Sequence, residues 1–254
     1  MVEVYFSNVE EGRRLPYDGI LNDDEKSRVR RLRNKADQEV YKVSTFLKGV
    51  IGDVECGERW RDRLRQNQYG KPYIDGSSIA FNFSQTDRYV FCGVLTDIEK
   101  NAEVEIGVDA VDIETERIVF DSFKSGVFTD AEMEWIGQDN NRLFISWALK
   151  EAYLKAIGTG LKGDLRDIEF KQRNDGYIQV YYQGKLLENA LARLFLFDGH
   201  TVIAIVTLNA NSDALSTITG LNVSPLSPAI RNKPLFIQSA KPFQLDHASH
   251  LFTS

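Results

Sequence analysis

The stretch WALKEAYLKAIGTGL, residues Trp147 to Leu161, places one acid and one base in an otherwise apolar helical pattern. An α-helix has about 3.6 residues per turn, so Trp147, Glu151 and Lys155 fall on the same face. A solvent-exposed i,i+4 ion pair, which stabilises a helix only slightly, would explain the spacing. The alternative is that this face lines a functional site.

The chain before this helix predicts a strand, a helix and a hairpin. MVEVYF at the N-terminus alternates as a strand does. Helical spacing then begins at Asn22 or Asp23, either of which suits an N-cap, and is expected to stop at Gly52. Two β-rich runs enclose the polar residues Gln85–Asp87, which indicates a β-hairpin.

The second part of the chain has a similar order of elements. EVEIGVDAVDI predicts a strand, and a helical region that is broken near Gly137 follows it. Thr129 and Glu132 have the spacing of a capping box at the start of its middle segment. Four runs typical of antiparallel strands come next, and no sustained period is found beyond Asn209.

We therefore predict an α+β protein with two subdomains and a tail. With the seam placed at Lys100–Glu105, the N-terminal subdomain is residues 1–104 and the C-terminal subdomain is residues 105–208. Residues 209–254 form an extension that either follows the surface or is partly disordered. A length of 254 residues suits two units of ordinary size.

Composition limits the possible partners and the location. Hydrophobic residues make up 43% and charged residues 27%, as in soluble globular proteins, and the net charge of −6 argues against a nucleic-acid binder. Cys56 and Cys92 are the two cysteines, which fits a reducing compartment. The N-terminus is charged where a secretory signal would be apolar, and no apolar run approaches a membrane span. We expect a cytoplasmic monomer that binds neither membrane nor nucleic acid.

Two local features indicate where phosphate and metal could bind. Six basic residues lie between Lys26 and Lys35, and they form either a solvated helical face or an attractive surface for phosphate. On its strand Asp109 points away from the face shared by Val108 and Ala110. This carboxylate is either solvated or a ligand for a hard cation such as Mg²⁺.

Three motifs together resemble a known family. WALKEAYLKAIGTGL is similar to the signature W-x-x-K-E-(A/S)-x-x-K-x-x-G-x-G-L of the larger, surfactin-synthetase type of 4′-phosphopantetheinyl transferase. GVD at Gly107–Asp109 resembles the family's metal-binding strand. GKP at Gly70–Pro72, followed by FNFSQ at Phe81–Gln85, resembles its coenzyme A loop. Order and separations agree over about residues 25–170, and the character is closest to the eukaryotic branch that activates aminoadipate reductase.

The resemblance implies a fold and a reaction. The family fold is a pseudo-dimer of two similar α/β subdomains in one chain, with coenzyme A in the cleft between them. The family transfers the 4′-phosphopantetheine arm of coenzyme A to a serine of a carrier-protein domain, with Mg²⁺, and releases 3′,5′-ADP. Aminoadipate reductase of lysine biosynthesis and a fatty acid synthase carrier are candidate acceptors.

The resemblance also assigns roles to residues of this chain. Asp109 and Glu151 would hold Mg²⁺ against the diphosphate of coenzyme A. Glu151 would in addition accept the proton of the carrier serine, directly or through water. Lys155 would neutralise charge on the leaving phosphate or help to protonate it. The residues implied to contact the coenzyme are Arg28, Lys71, Ser84 and Gln85.

Two positions depart from the family pattern. Many relatives have a second metal-binding acid two residues after the first, where this chain has Val111. Asp112 and Glu114 are close in sequence, but a regular strand directs both away from the face of Asp109. Gln85 replaces the usual histidine, and because glutamine carries no positive charge we expect weaker coenzyme binding or a changed contact.

Two other functions are compatible with parts of the sequence. The first is a catalytically degenerate module of the same fold that binds a carrier or coenzyme A, which the retained Asp109, Glu151 and Lys155 disfavour. The second is an unrelated nucleotide-dependent phosphotransferase. That reading is disfavoured because no G-x-x-x-x-G-K-(S/T) or G-x-G-x-x-G motif occurs, and GTGLKG at Gly158–Gly163 follows a helix instead of opening one.

Overall fold

The computed structural model describes residues 1–14, 17, 20–57, 59–99, 102–114, 124–160, 164–173, 177–210, 218–222, 235–236 and 241–242. The helices in these ranges are α1 (Val9–Gly12), α2 (Asp23–Arg31), α3 (Lys35–Cys56), α4 (Trp60–Arg63), α5 (Lys124–Val127), α6 (Asp130–Ile136) and α7 (Asn140–Ile157), with a short 3-10 helix at Leu165–Asp167. The strands are β1 (Val2–Asn8), β2 (Leu64–Gln66), β3 (Pro72–Ile74), β4 (Ala80–Gln85), β5 (Tyr89–Leu95), β6 (Glu105–Asp112), β7 (Ile168–Gln172), β8 (Ile178–Tyr182), β9 (Lys185–Phe197), β10 (Thr201–Leu208), β11 (Ile218–Asn222), β12 (Leu235–Phe236) and β13 (Lys241–Pro242).

Two larger sheets and a small hairpin organise these strands. The first sheet has the order β12-β11-β1-β5-β4, and the second has the order β6-β10-β9-β8-β7, with β13 paired to β9. β2 and β3 form the hairpin. All pairings are antiparallel except that of β1 with β11. Helices combined with largely antiparallel sheets confirm the predicted α+β class.

The layers run helix, sheet, sheet, helix. α3 covers one face of the first sheet around Val43 and Leu47, and α7 covers one face of the second sheet. The remaining faces of the two sheets pack on each other through a third apolar cluster that contains Phe6, Phe91 and Phe197. The ring centroids of Phe6 and Phe197 are 4.6 Å apart in an edge-to-face arrangement. The interior between the sheets is therefore a packed core, and a ligand site must lie at its edge.

Several predicted elements in both parts of the chain are confirmed. Thr129 caps α6, and its side chain and that of Glu132 form both hydrogen bonds of the capping box. The break near Gly137 is present, because this glycine ends α6 with a φ of +55°. The predicted hairpin around Gln85–Asp87 is the antiparallel pair β4–β5. No helix in the described ranges is both long and apolar enough to cross a membrane.

The single helix predicted between Asn22 and Gly52 was wrong in two respects. Asn22 does cap α2, but the helix stops at Arg31 because Leu32 adopts an extended conformation, and Asn34 caps a new helix, α3. α3 continues through Gly52 to Cys56 and ends at Gly57, whose φ is +77°. Gly52 serves packing instead: a Cβ there would lie 2.3 Å from the indole ring of Trp60.

The C-terminal extension adds strands where no period was found in the sequence. β11 extends the first sheet beyond β1, β12 pairs with β11, and β13 pairs with β9 of the second sheet. Apart from Asn209 and Ala210, the remaining extension residues lie outside the described residues, as do Lys100 and Asn101 of the predicted seam, residues 120–123 of the predicted helical region, and residues 161–163 at the end of the GTGLKG stretch.

Candidate active site

α7 exposes one narrow stripe of an otherwise buried surface. Its residues from Leu143 to Ala156 are buried except for Trp147, Glu151 and Lys155, which are partly exposed. Trp147 packs against the apolar cluster beneath the helix, as expected for a packing role. The charged residues of the stripe therefore do not face open solvent as a simple surface ion pair would.

The close approach of α7 to β6 depends on Gly107. A Cβ at this position would lie 1.9 Å from the carbonyl oxygen of Ala152 and 2.4 Å from the amide nitrogen of Ala156. Real Cβ atoms do not approach backbone so closely, so any other residue would push the helix away from the strand. The glycine of GVD thus holds the charged stripe of α7 next to the strand residue that follows Val108.

Asp109 is the strand residue that follows Val108, and its carboxylate is the centre of a polar cluster. The ammonium group of Lys155 donates a hydrogen bond to Asp109 Oδ1 at 2.6 Å, and the hydroxyl of Ser84 donates to the same oxygen at 3.0 Å. Lys155 Nζ also donates to the carbonyl oxygen of Val108 at 3.1 Å and lies 3.3 Å from Ser84 Oγ. The Lys155 and Asp109 side chains are 29% and 13% exposed, so the pair is shielded but reachable.

Ser84 reaches this cluster because β4 meets the outer edge of β6. The amide of Ala110 donates to Ser84 Oγ at 3.0 Å, and the amide of Val108 donates to Asn82 Oδ1 at 3.1 Å. Side chains of the first sheet thereby satisfy edge amides of the second sheet. This joint fixes Ser84 beside Asp109 independently of any ligand.

Glu151 shares the electrostatic environment of Asp109. Burial raises the pKa of Glu151 above its usual value, repulsion from Asp109 raises it further, and attraction to Lys155 lowers it. Glu151 lies one turn before Lys155 on the same stripe of α7, and Lys155 contacts Asp109, so the two carboxylates lie near the same lysine although they come from different elements. The acid and base of α7 therefore lie together beside an acid of β6.

The donor set suits a hard divalent cation. Asp109 and Glu151 offer carboxylate oxygens, which Mg²⁺ prefers, and their mutual repulsion would be relieved by a positive ion between them. Lys155 already places a positive charge on Asp109 Oδ1 at 2.6 Å. The residues present are therefore compatible with a bound Mg²⁺.

The GKP turn lies against the C-terminal end of α7. The amide group of Asn67 donates to the carbonyl oxygen of Gly158 at 3.1 Å, and Lys71 Nζ donates to the carbonyl oxygens of Ala156 at 2.7 Å and Ile106 at 3.2 Å. Lys71 also forms an ion pair with Glu105, and its side chain is only 10% exposed. Burial lowers the pKa of Lys71, while Glu105 opposes the shift. The ammonium group is thus engaged with protein oxygens, and its predicted phosphate contact stays a prediction.

The other two predicted coenzyme contacts lie on the surface of the first half. Arg28 is exposed on α2, with its guanidinium carbon 5.4 Å from the ring centroid of Tyr41. Gln85 is the exposed last residue of β4 and follows Ser84 directly. Neither is part of the cluster around Asp109, so their predicted roles concern a different part of a ligand.

The acids after Asp109 do not replace the one missing at Val111. Val111 is buried in the apolar cluster under α7, and β6 pairs with β10 without a bulge. Asp112 is fully buried and accepts a hydrogen bond from Arg88 Nε at 2.7 Å, while Glu114 lies 3.6 Å from the same guanidinium. Asp112 and Glu114 form a second polar group with His200. Arg88 already supplies the positive charge of this group. The regular strand therefore separates these acids from Asp109, as predicted.

Sequence comparison relates this part of the chain to known proteins. A sequence model described as the 4′-phosphopantetheinyl transferase superfamily matches residues 105–206, which include β6, α7 and the second sheet. A holo-(acyl-carrier-protein) synthase of Caldicellulosiruptor saccharolyticus is 38% identical over 87 residues, or 32% of this chain and 71% of that protein. The chain belongs to the 4′-phosphopantetheinyl transferase superfamily.

Other members of the superfamily align over different parts. The 4′-phosphopantetheinyl transferase gsp of Aneurinibacillus migulanus is 25% identical over 64% of this chain and 63% of its own length. The L-aminoadipate-semialdehyde dehydrogenase-phosphopantetheinyl transferase of Candida glabrata is 33% identical over 41% of this chain and 42% of its own length. The chain thus spans less than two thirds of these two relatives. The solved holo-(acyl-carrier-protein) synthase of Thermotoga maritima is 26% identical over 42% of this chain and 64% of that chain, with a TM-score of 0.32.

Within the superfamily signature, sequence reasoning overlooked Lys150. This residue is fully buried, donates to the carbonyl oxygens of Leu165 at 2.8 Å and Ile168 at 2.6 Å, and pairs with Glu132 at 2.9 Å. It ties α7 to α6 and to the start of β7. The signal was available, because a lysine in the buried stripe of an apolar helix needs partners.

Proposed function

We propose that the protein transfers the 4′-phosphopantetheine arm of coenzyme A to a serine hydroxyl of a carrier-protein domain and releases 3′,5′-ADP in a Mg²⁺-dependent reaction. The observation that carries this proposal is the meeting of Ser84, Asp109, Glu151 and Lys155 from three separate elements. Membership of the superfamily supports the same reaction. Phosphoryl transfer requires chiefly positioning and charge neutralisation, which such a cluster provides.

Two acids would hold the metal ion. Asp109 and Glu151 would bind Mg²⁺, which, when bound, supplies charge neutralisation at the diphosphate of the coenzyme. Lys155 lies within reach of the same site and would neutralise or protonate the leaving phosphate. The ammonium group of Lys155 contacts Asp109 Oδ1, so in this second role Lys155 would exchange that contact for one to the phosphate.

Glu151 would also act as the general base. The carrier serine oxygen forms a bond to the phosphorus next to the pantetheine arm, and the bond from that phosphorus to the bridging oxygen of the leaving 3′,5′-ADP breaks. The serine proton passes to Glu151, directly or through water. A carboxylate whose pKa is raised by burial and by a second acid is a better base than a solvated one.

The coenzyme contacts are proposed for the first half of the chain. Ser84 and Gln85 would line the coenzyme along β4, and Arg28 would meet a phosphate through its planar guanidinium. Lys71 would reach a phosphate only by exchanging one of its protein partners for it. The structure suggests an additional role for Lys71, because its bonds join the GKP turn to β6 and α7.

We also propose that residues 1–104 and 105–208 are the two halves of a pseudo-dimer. Residues 209–254 would then be an extension. The strand order β1-β5-β4 matches β6-β10-β9, and one long helix covers each sheet, which supports two related halves. The active site would then lie where the halves meet, beside the joint between β4 and β6. Superposition of the two halves in an experimental structure tests the relation: their strands and long helices are expected to align in order.

The reaction is tested by labelling carrier domains. Incubation with coenzyme A, Mg²⁺ and a panel of purified carriers, including aminoadipate reductase and fatty acid synthase carriers, should add the mass of one phosphopantetheine to the serine of at least one carrier. A lysine-pathway acceptor is suggested by relatives whose names contain aminoadipate-semialdehyde dehydrogenase. If every carrier keeps its mass while coenzyme A still binds, the protein is a binding module of the same fold.

A further inference from the structure

The ammonium group of Lys71 has all of its hydrogen-bond donors in use within the protein. Lys71 Nζ donates to the carbonyl oxygens of Ala156 at 2.7 Å and Ile106 at 3.2 Å, and it forms an ion pair with the carboxylate of Glu105. An ammonium group has three N–H donors, and these three acceptors occupy them. An anion that binds to Lys71 must therefore replace one of the three partners.

The two carbonyl partners are costly to replace. Ala156 lies in the last turn of α7, where carbonyl oxygens have no acceptor role left within the helix. Ile106 lies on β6, an edge strand of the second sheet. Both residues are fully buried, so a carbonyl oxygen that lost the ammonium group would be left without water to replace it.

Glu105 is the partner that can move. Its side chain is 47% exposed, whereas the side chain of Lys71 is only 10% exposed. The position of Lys71 is fixed further along its length, because a Cβ on Gly158 would lie 2.8 Å from Lys71 Cδ. The lysine therefore stays in place, and the carboxylate of Glu105 can turn into solvent.

The carboxylate of Glu105 thus occupies a position that suits an anionic ligand. Burial lowers the pKa of Lys71, and the hydrogen bond and the negative charge of Glu105 oppose this shift. An anion at this position keeps the buried ammonium group charged. A phosphate oxygen would do the same, because ammonium groups form charge-assisted hydrogen bonds with phosphate as well as with carboxylate.

We propose that Glu105 competes with coenzyme A for Lys71 and thereby sets the affinity of the coenzyme site. The inference rests on the proposed function, which brings a phosphate of the coenzyme to Lys71, and it adds the residue that this phosphate displaces. Binding of the coenzyme breaks the ion pair of Lys71 and Glu105, and the free carboxylate becomes solvated. The coenzyme therefore binds less tightly than it would without Glu105.

Calorimetric titration with coenzyme A tests this competition. Glu105→Gln keeps the size of the side chain and removes its charge, so it should tighten coenzyme A binding about threefold to tenfold. Glu103→Gln is the matched control, because this exposed acid two residues earlier loses the same charge. A distant exposed charge is largely screened by salt, so the control should bind coenzyme A as the parent does.

The same ion pair should contribute to the stability of the free protein. Without ligand, Glu105→Gln should have a lower melting temperature than the parent, because the largely buried ammonium group of Lys71 loses its anion. Saturating coenzyme A should then raise the melting temperature of the variant by more than that of the parent. A Glu105 that only supported the fold would lower the melting temperature without any gain in coenzyme affinity.

A double-mutant cycle shows whether the effect passes through Lys71. In a Lys71→Met background, Glu105→Gln should no longer tighten coenzyme A binding, because no ammonium group remains to be contested. Equal tightening in both backgrounds would mean that Glu105 repels the coenzyme directly, and it would overturn the competition. If Lys71→Met does not fold, the comparison of Glu105→Gln with Glu103→Gln decides the inference.

The remaining results separate this inference from the proposed function. Unchanged or weaker coenzyme A binding in Glu105→Gln overturns the inference, and so does equal tightening in Glu103→Gln. A parent protein that binds coenzyme A and modifies a carrier keeps the proposed function in all of these cases. A parent protein that binds no coenzyme A contradicts the proposed function itself.

Discussion

The acids on the two faces of β6 lie in contrasting environments. Asp112 is fully buried, accepts a 2.7 Å hydrogen bond from Arg88 Nε, and lies on the side of the strand that packs between the sheets. Asp109, three residues earlier, lies on the side of α7, where it shares Lys155 with a second carboxylate, Glu151. One acid is fully neutralised by the protein, and the other is not.

The difference separates a structural acid from a reactive one. An arginine that binds a carboxylate through two nitrogens satisfies it and fixes it in place, so little binding capacity remains for a ligand. Two carboxylates with one lysine between them retain excess negative charge. Such a group gains from a cation, whereas the pair of Asp112 and Arg88 does not.

The largest expected effect comes from removing the acids of the α7 face. Asp109→Ala or Glu151→Ala should lower the rate of phosphopantetheine transfer at least about a hundredfold while the protein stays folded. The assay is carrier labelling followed by mass spectrometry at saturating Mg²⁺. Near-parental turnover in either variant would show that the assigned metal ligands are wrong.

Asp112→Ala supplies the contrasting variant. It leaves Arg88 without its main partner and should lower the free energy of unfolding by about 1–3 kcal/mol, measured by urea titration. Transfer per folded molecule should remain near the parental rate. A strong loss of turnover with unchanged stability would remove the distinction between the two faces.

The next effect concerns the distance between β6 and α7. Gly107→Ala introduces a Cβ into backbone atoms of Ala152 and Ala156, so the helix must move and carry Glu151 away from Asp109. We expect a loss of about 1–3 kcal/mol in the free energy of unfolding and a fall in turnover that exceeds what unfolding explains. Gly126→Ala, at an exposed glycine with open space around it, is the control.

A smaller effect is expected for Lys155. Lys155→Ala should reduce kcat about tenfold to a hundredfold, with a lesser change in the dissociation constant of coenzyme A, because the lysine acts on the leaving phosphate. Rapid-quench turnover and calorimetry measure the two quantities. A change confined to affinity would make Lys155 a binding residue.

The smallest effect is a stability change with pH. The pKa of Glu151 is raised in the folded protein, so its charged form costs stability above that pKa, and the cost disappears as pH falls through it. Glu151→Gln should therefore raise the melting temperature at neutral pH and lose this advantage under acidic conditions. An advantage that grows on acidification would contradict the shared-site electrostatics.

The sequence was most informative where one local signal sufficed. Alternation along β6 separated Asp109 from Asp112, and the capping box of Thr129 and Glu132 marked the start of α6. These features depend on backbone period and on hydrogen bonds between near neighbours. The roles of Asp109 and Glu151 came instead from a resemblance to a family.

Features set by distant contacts could not be predicted in this way. Gly52 looked like a helix stop, but it is a glycine because Trp60 packs on it. Lys71 looked like a free phosphate contact, yet its ammonium is engaged by Ile106 and Ala156, residues of another part of the chain.

The most direct test of the shared acid site is metal binding in the presence of coenzyme A. Mn²⁺, which takes the same oxygen ligands as Mg²⁺, can be counted by electron paramagnetic resonance in the parent and in three variants. We predict one Mn²⁺ per chain in the parent and in Asp112→Ala, and loss of that ion in both Asp109→Ala and Glu151→Ala. Undiminished Mn²⁺ binding in either of the last two would contradict the convergence of these acids on one cation.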